Sequence, residues 1–227
     1  MTHYLNLLTR AMSRGWKNKA LCDLNGDGFT FGEVAEQIEK LRIIFKGCGL
    51  QKGDRIAICA DESARRTIAF LAINTCGAAV VPVQAEEKAE EICKAVDQSG
   101  SKVLFTYREI WENMNPRRMQ KLRAVIDIRN FGLLWSRDAD AADAVQYAGK
   151  IFLKKYPYDF SIENVYYETD NDKDIAFIGY LPNPSGMPRW LTFKFEDLSR
   201  ILGRNRFSDF FTDFKEFSIY LQRLKTS

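Results

Sequence analysis

The chain is 227 residues long, 46% hydrophobic and 28% charged, with a formal net charge of +3 from 33 Lys and Arg against 30 Asp and Glu. These values are typical of a globular protein with one sizeable core, and the interleaved charges do not predict nucleic-acid binding. The only histidine, His3, excludes Ser-His-Asp and Cys-His catalytic groups and any multi-histidine metal site. We expect His3 to lie in a frayed N-terminus.

The cysteine pattern predicts reduced thiols in a cytoplasmic protein. Five cysteines stand far apart in the sequence, without a CxxC pair: Cys22, Cys48, Cys59, Cys76 and Cys93. Most lie in apolar runs, which favours core packing over a disulfide framework or a zinc site. The longest apolar stretch, residues 67–83, includes Asn74 and Thr75 and is too short and too polar to predict a membrane span.

Short apolar strands and amphipathic helices alternate along the chain. After a strand at residues 20–23, Thr30 and Glu33 have the spacing of a capping box, which predicts a helix that ends at Gly49. Further apolar runs predict strands at residues 55–60, 78–83, 102–107 and 124–128. The segments between the first three of these runs predict helices at residues 63–76 and 86–98.

The later part of the chain continues this alternation less regularly. Residues 131–165 are predicted to be helical and loop-like, with a break at residues 154–157. Two strands follow at residues 174–180 and 189–195, and a short helix at residues 196–203. Alternation of this kind predicts an α/β fold, a mainly parallel, doubly wound sheet with helices on both faces.

Charged clusters are interpreted as solvated surface. Three aspartates lie close together: Asp138, Asp140 and Asp143. They predict a helix start rather than a cation site, because the turn glycine of calcium loops is absent. We expect residues 170–174 to form a surface turn and Arg65 and Arg66 to lie on a solvated helix face. No metal ligands are predicted.

Residues 180–190 have the form of a phosphate-binding loop with a depleted set of donors. They read Tyr-Leu-Pro-Asn-Pro-Ser-Gly-Met-Pro-Arg-Trp. Such loops hold phosphate with successive backbone N–H groups and hydroxyls, and Pro182 and Pro184 have no backbone N–H. A lost hydrogen bond to a charged partner costs about 1.5–3 kcal/mol, so triphosphate binding is expected to be weak.

This segment resembles the loop Tyr-Thr-Ser-Gly-Thr-Thr-Gly-x-Pro-Lys-Gly of AMP-forming acyl-CoA synthetases. Tyr180, Gly186 and Pro188 are shared, while Ser185 stands for a Thr and Arg189 for the Lys. Three earlier segments resemble the opening of the same enzymes, in the same order: Phe29-Thr30-Phe31-Gly32-Glu33-Val34, Gly49-Leu50-Gln51-Lys52-Gly53-Asp54-Arg55-Ile56-Ala57 and Val81-Pro82-Val83. Within the family, this series is most similar to bacterial long-chain fatty-acid–CoA ligases.

The resemblance implies a reaction in which ATP and a carboxylate form an acyl-adenylate and coenzyme A then displaces AMP, with Mg²⁺ assisting. By position, it assigns contact with the ATP phosphates to Ser185, Gly186 and Arg189, and no catalytic residue within this chain. The adenine, ribose and Mg²⁺ sites and the adenylating Lys of the family are expected beyond residue 227. No cofactor is therefore predicted for this chain alone, and whether it is an enzyme stays open.

We expect three parts: an α/β subdomain at residues 1–175, a degenerate strand–loop–strand with a short helix at residues 176–203, and an amphipathic Phe-rich helix at residues 204–227. The predicted function is that of an N-terminal fragment or degenerate paralogue of a long-chain fatty-acid–CoA ligase, inactive alone. The alternative is a non-catalytic binding or regulatory module that pairs with itself as a homodimer, or with a full-length homologue, through the Phe-rich tail. A third hypothesis is a surviving enzyme with weak nucleotide binding.

Overall fold

A computed structural model describes residues 2–22, 28–181 and 189–202 of the chain. In these ranges, a small antiparallel pair, β1 (Lys19–Cys22) and β2 (Gly28–Thr30), lies beside a seven-stranded sheet. The strands of the large sheet are β3 (Arg55–Cys59), β4 (Ala79–Val83), β5 (Val103–Thr106), β6 (Ala124–Asp127), β7 (Leu133–Ser136), β8 (Ile175–Leu181) and β9 (Arg189–Lys194). Their spatial order is β7-β6-β5-β3-β4-β8-β9.

The centre of this sheet is parallel and both of its edges are antiparallel. The strands β3, β4, β5, β6 and β8 pair parallel with their neighbours, whereas β7 pairs antiparallel with β6 and β9 with β8. The central strands are nearly continuous apolar runs because both of their faces are covered. On β3, Ile56 and Ile58 face one hydrophobic core, and Ala57 and Cys59 face the other.

Helices cover both faces, as the sequence predicted. They are α1 (Tyr4–Gly15), α2 (Phe31–Gly47), α3 (Ala64–Thr75), α4 (Ala89–Ser99), the single turn α5 (Arg108–Trp111), α6 (Ala139–Lys155) and α7 (Phe195–Leu202). The larger core packs α1, α2, α3, α6 and α7 on one face, and α4 packs on the other. The α/β class, with a mainly parallel and doubly wound sheet, is therefore confirmed.

Local signals account for several helix boundaries. The capping box at α2 is present: Thr30 Oγ1 accepts a hydrogen bond from the Glu33 N–H, and the Glu33 carboxylate accepts one from the Thr30 N–H at 2.7 Å. These hydrogen bonds from Thr30 lower the pKa of Glu33. Asp138 caps α6 by accepting from the Ala141 N–H at 2.9 Å, so the expectation of a helix start at this aspartate is confirmed.

The N-terminus differs from the sequence-based expectation. His3 is only 3% exposed and caps α1, where its Nδ1 accepts from the Leu5 N–H at 3.1 Å. The prediction of a frayed N-terminus was therefore wrong. The surface turn expected at residues 170–174 is also only partly exposed, because Asn171 is buried against His3.

Four of the elements were not predicted: the short strand β2, the helix α1, the single turn α5 and the edge strand β7. The strand β7 lies within residues 131–165, for which helix and loop were expected, and all of its residues are half-buried. All five cysteines are free thiols, with Cys48, Cys59 and Cys93 buried as expected and Cys22 exposed. None of the helices in the described ranges has the length and apolar character needed to cross a membrane.

Candidate functional site

The carboxyl ends of the parallel strands meet at one edge of the sheet, where ligands bind in open α/β folds. After β3 the chain enters α3, which packs into the core on one face of the sheet. After β5 it enters α5, whose Trp111 packs into the core on the opposite face. The adjacent strands β3 and β5 therefore form the topological switch point. The segment 182–188 follows β8 at this same edge of the sheet.

The strands β8 and β9 hold the ends of the segment 182–188 together. Their backbones pair Tyr180 with Trp190 and Leu181 with Arg189. The pair is joined to the parallel sheet through β4, and Phe177 of β8 packs on Phe70 with ring centroids 6.2 Å apart. The strand pair is thus fixed to the parallel sheet by backbone pairing and aromatic packing.

The predicted phosphate contacts belong to the strand–loop–strand that the sequence predicts. Ser185 and Gly186 lie outside the described residues. Arg189 is the first residue of β9, and its backbone pairs with Leu181. The geometry therefore supplies the frame around the predicted contacts, and their assignment to ATP phosphates remains a prediction.

The switch point between β3 and β5 is closed by side chains of the two strand ends. The Tyr107 hydroxyl accepts a hydrogen bond from the Asp61 N–H at 3.2 Å and donates to Asp61 Oδ2 at 3.3 Å. Burial raises the pKa of Tyr107, which favours the neutral phenol that makes these contacts. The Arg129 guanidinium covers the Tyr107 ring at 4.6 Å and binds both carboxylate oxygens of Glu109, at 2.7 and 2.9 Å.

Arg66 lies beneath this closure and is not the solvated helix residue that the sequence predicted. Its side chain is 12% exposed, it forms an ion pair with Glu62, and burial lowers its pKa to about 10. The negative charge of Asp61 opposes this lowering of the pKa. The positive charge of Arg66 is therefore compensated within the protein, by the carboxylates of Glu62 and Asp61 near the turn between β3 and α3.

The pairing of Asp61 with Tyr107 was not predicted from the sequence. The signal available was position, since Asp61 and Tyr107 each follow the carboxyl end of adjacent parallel strands. In the ranges that the structure describes, no three His, Cys, Asp or Glu side chains are grouped as a metal site requires. The described part of the edge thus contains a closed switch point and the paired strands β8 and β9.

Comparison with known proteins connects this architecture to one family. The model of a family described as AMP-binding enzyme matches residues 8–180, more than half of the chain. Among curated proteins, surfactin synthase subunit 1 of Bacillus subtilis (strain 168) is 28% identical over 89 residues, which make up 39% of this chain and 2% of that protein.

Solved structures share the fold over most of the chain. The Klebsiella oxytoca NpsA N-terminal subdomain, in complex with 3-hydroxybenzoyl-AMSN, has a TM-score of 0.62 at 19% identity, covering 86% of this chain and 42% of that one. A long-chain-fatty-acid-CoA ligase (FadD1) from Archaeoglobus fulgidus has a TM-score of 0.64 at 17% identity, covering 88% and 38%. This chain spans less than half the length of each of these proteins. The family match over residues 8–180 shows that the chain belongs to the AMP-binding enzyme family.

Proposed function

We propose that this chain is the N-terminal sheet portion of an AMP-forming acyl-CoA ligase, or a degenerate paralogue of one, and does not adenylate a carboxylate by itself. One observation carries the proposal: the paired strands β8 and β9 frame a loop whose sequence has prolines at positions 182 and 184. The sequence of this loop resembles that of a phosphate-binding loop, but it supplies fewer backbone N–H donors.

The physical argument concerns backbone N–H groups. Of the seven residues from 182 to 188, three are prolines, so four N–H groups remain: those of Asn183, Ser185, Gly186 and Met187. An anion held by successive backbone amides loses about 1.5–3 kcal/mol with each missing charge-assisted hydrogen bond. With four backbone N–H groups left, these residues therefore do not fit a triphosphate.

A long-chain fatty acid is the acyl substrate that we propose for the parent activity. The ordered motifs around β2, β3 and β4 support it, as does the similarity to the archaeal long-chain ligase. The NpsA subdomain was solved with a 3-hydroxybenzoyl ligand, so an aryl acid is the competing substrate class. Binding of palmitate and 3-hydroxybenzoate by this chain, measured side by side, distinguishes the two.

Isothermal titration with Mg-ATP tests the proposal. We expect no submillimolar binding by the natural chain. The double variant Pro182→Ser/Pro184→Thr restores two N–H groups and two hydroxyls, and should bind about 100-fold more tightly or better at about 1.5 kcal/mol per restored bond. The matched control Pro157→Ser exchanges an exposed proline after α6 and should bind as weakly as the natural chain. Submillimolar binding by the natural chain would contradict the proposal.

The cysteines support a cytoplasmic location as part of this proposal. All five are free, and three are buried, which suits a compartment that keeps thiols reduced.

A second candidate is a non-catalytic module that binds a full-length relative or a second copy of itself. The helical spacing of aromatic residues from Phe207 to Tyr220 favours it, although these residues lie outside the described ranges. Light scattering with and without a full-length homologue tests this candidate. A monomer in both mixtures would count against it, whereas a complex that Phe210→Ser/Phe214→Ser abolishes would support it.

A further inference from the structure

His3 and Tyr4, at the start of α1, contact residues just before β8 and just after β9. The side chains involved form a group that we call the N-terminal clasp: His3, Tyr4, Asn74, Asn171, Phe195 and Ser199. Asn171 lies four residues before β8, and Phe195 directly follows β9. The clasp therefore joins the base of the strand pair, at the end opposite to the segment 182–188.

His3 lies at the centre of this group and its contacts define its protonation. Its Nδ1 accepts from the Leu5 N–H at 3.1 Å, and its Nε2 lies 3.1 Å from Asn171 Oδ1. Because a backbone N–H can only donate, Nδ1 carries no proton, and the neutral ring holds its proton on Nε2 and donates to Asn171. The ring also packs against Tyr4 and Phe195, with centroids 5.6 and 5.2 Å away, and the centroids of these two rings lie 6.2 Å from each other.

Tyr4 continues the connection into the sheet. Its hydroxyl donates to Asn74 Oδ1 at 2.5 Å, and Asn74 Nδ2 donates to the carbonyls of Ala78 before β4 and Ala176 in β8, at 3.0 and 2.9 Å. Its backbone N–H donates to Ser199 Oγ of α7 at 3.0 Å. Through two adjacent residues, α1 is thus bound to β8 and α7.

We propose that the N-terminal clasp is a proton-sensitive device that positions the strand pair β8–β9 against the parallel sheet. Its centre is the neutral ring of His3. Protonation of Nδ1 places an N–H opposite the Leu5 N–H, so the cap of α1 loses its acceptor.

The charges around His3 decide the direction of the effect. Burial lowers the pKa of His3 below 6.5, while Asp172 at 3.8 Å, the hydrogen bond to Asn171 and the charge of Asp170 oppose it. The unfolded chain therefore takes up protons before the folded chain as the pH falls. The stabilisation by the clasp is complete above about pH 6.5 and decreases below it.

The other groups that face the ring of His3 do not reverse the direction of this pH effect. Burial raises the pKa of Tyr4 well above its usual value, so the phenol stays neutral. Phe195 and Ser199 of α7 carry no charge. Lys52 lies within 4.0 Å of an Asp170 oxygen and 3.2 Å of an Asp174 oxygen, where it offsets part of the negative charge near the ring.

Two measurements on the full chain test the clasp without any nucleotide, so their outcome is independent of whether ATP binds. Because His3 is the only histidine, its Cε1–H resonance reports its pKa directly by NMR. Hydrogen exchange, corrected for its intrinsic pH dependence, should show weaker protection of β8 and β9 between pH 7.5 and 5, with β3 less affected. The expected loss approaches about tenfold for each unit by which the pKa lies below 6.5.

Variants separate the titration from packing. His3→Asn keeps an acceptor for the cap but does not titrate, so the protection of β8 and β9 should become independent of pH in this range. Asp172→Asn removes the nearest carboxylate and should lower the pKa of His3 further, so the loss still begins near pH 6.5 but becomes larger and continues to lower pH. Ser63→Ala, which removes the cap of α3, is the control and should leave the pH dependence unchanged.

Three results would overturn the proposal: a His3 pKa at or above 6.5 in the natural chain, equal losses of protection in β3 and β8, or an unchanged pH dependence in His3→Asn. The first two need no variant, so the proposal stays testable even if His3→Asn fails to fold.

Discussion

The two edges of the large sheet are antiparallel strand pairs, β6–β7 and β8–β9, whose connecting segments differ in the backbone N–H groups that their sequences supply. In the hairpin β6–β7, the turn satisfies its own N–H groups: Arg129 donates to Asp127 Oδ1 at 2.9 Å, Phe131 to the Asp127 carbonyl at 2.8 Å, and Gly132 to Asn130 Oδ1 at 2.7 Å. These donors close the turn, and they are not available to a ligand.

Phe131 shows how strongly that turn is determined. It has a positive φ of 58°, an unfavourable conformation for an aromatic residue, and its ring packs edge-on against Phe105 with centroids 6.0 Å apart. The buried ring and the hydrogen bonds compensate for the strained backbone. This hairpin therefore has a structural role at the edge of the sheet.

The hairpin β8–β9 contains the segment 182–188, in which prolines remove N–H groups that could either close a turn or bind an anion. The comparison teaches that the phosphate-binding capacity of a strand–loop–strand depends on the donors that remain after the loop has closed. In the β6–β7 turn the donors are used internally, and at three positions of 182–188 the sequence never supplies them.

The anchoring of the β8–β9 edge gives the largest expected effect. Asn74 is fully buried and connects Tyr4, the Ala78 carbonyl and the Ala176 carbonyl. Asn74→Ala removes three buried hydrogen bonds and should lower the free energy of unfolding by about 3–5 kcal/mol. Urea unfolding measures the loss, and hydrogen exchange should show β8 opening before β6.

Asn113→Ala is the control for this prediction. Asn113 is exposed and donates to the Glu109 carbonyl at 2.8 Å, so its loss should change stability by less than about 0.5 kcal/mol. If both variants lost equal stability, Asn74 would not be an anchor of the edge.

The opposite edge depends on a close helix contact, which gives the second effect. A Cβ at Gly47 of α2 would lie 2.3 Å from the Ala144 Cβ of α6, the helix that follows β7. Gly47→Ala should therefore destabilise the fold by about 1–3 kcal/mol in urea unfolding. Gly149→Ala, also in α6, meets no atom within 4 Å and should stabilise by up to about 1 kcal/mol.

A double variant sharpens this second prediction. Ala144→Gly removes the Cβ that Gly47→Ala would meet, so combining the two should recover most of the stability lost in the single variant. Additive losses would show that the contact between α2 and α6 is not the cause.

The central sheet and the caps could be predicted from sequence because their signals are local. The apolar run Arg55–Cys59 and the capping box at Thr30 and Glu33 appear where the pattern predicts them. The strand β7 was missed because it has four residues, all half-buried, and gives no clear alternation. The helix α1 was missed although Leu5, Leu8 and Met12 have helical spacing.

In the candidate site and the clasp, too, local features could be predicted from the sequence and long-range contacts could not. The loop at residues 182–188 lies outside the described residues and stays a prediction; only the absence of N–H groups at Pro182 and Pro184 follows from residue type. The burial of His3 could not be predicted, because its partner Asn171 lies 168 residues away and only the folded sheet brings the two together. Burial decides whether the pKa of a histidine lies near neutrality or below it, and the extent of burial cannot be read from a single sequence.

The smallest expected effect concerns the self-satisfied turn of β6–β7. Asn130 is exposed, and its Oδ1 accepts from the Gly132 N–H at 2.7 Å. Asn130→Ala should lower the free energy of unfolding by about 0.5–1 kcal/mol, near the lower limit because water can reach the released N–H. Asn130→Asp keeps an acceptor and should lose less in the same urea titration. If Ala and Asp proved equally stable at this position, the side chain would not be closing the turn, and the contrast with the proline-containing loop would rest on the Asp127 contacts alone.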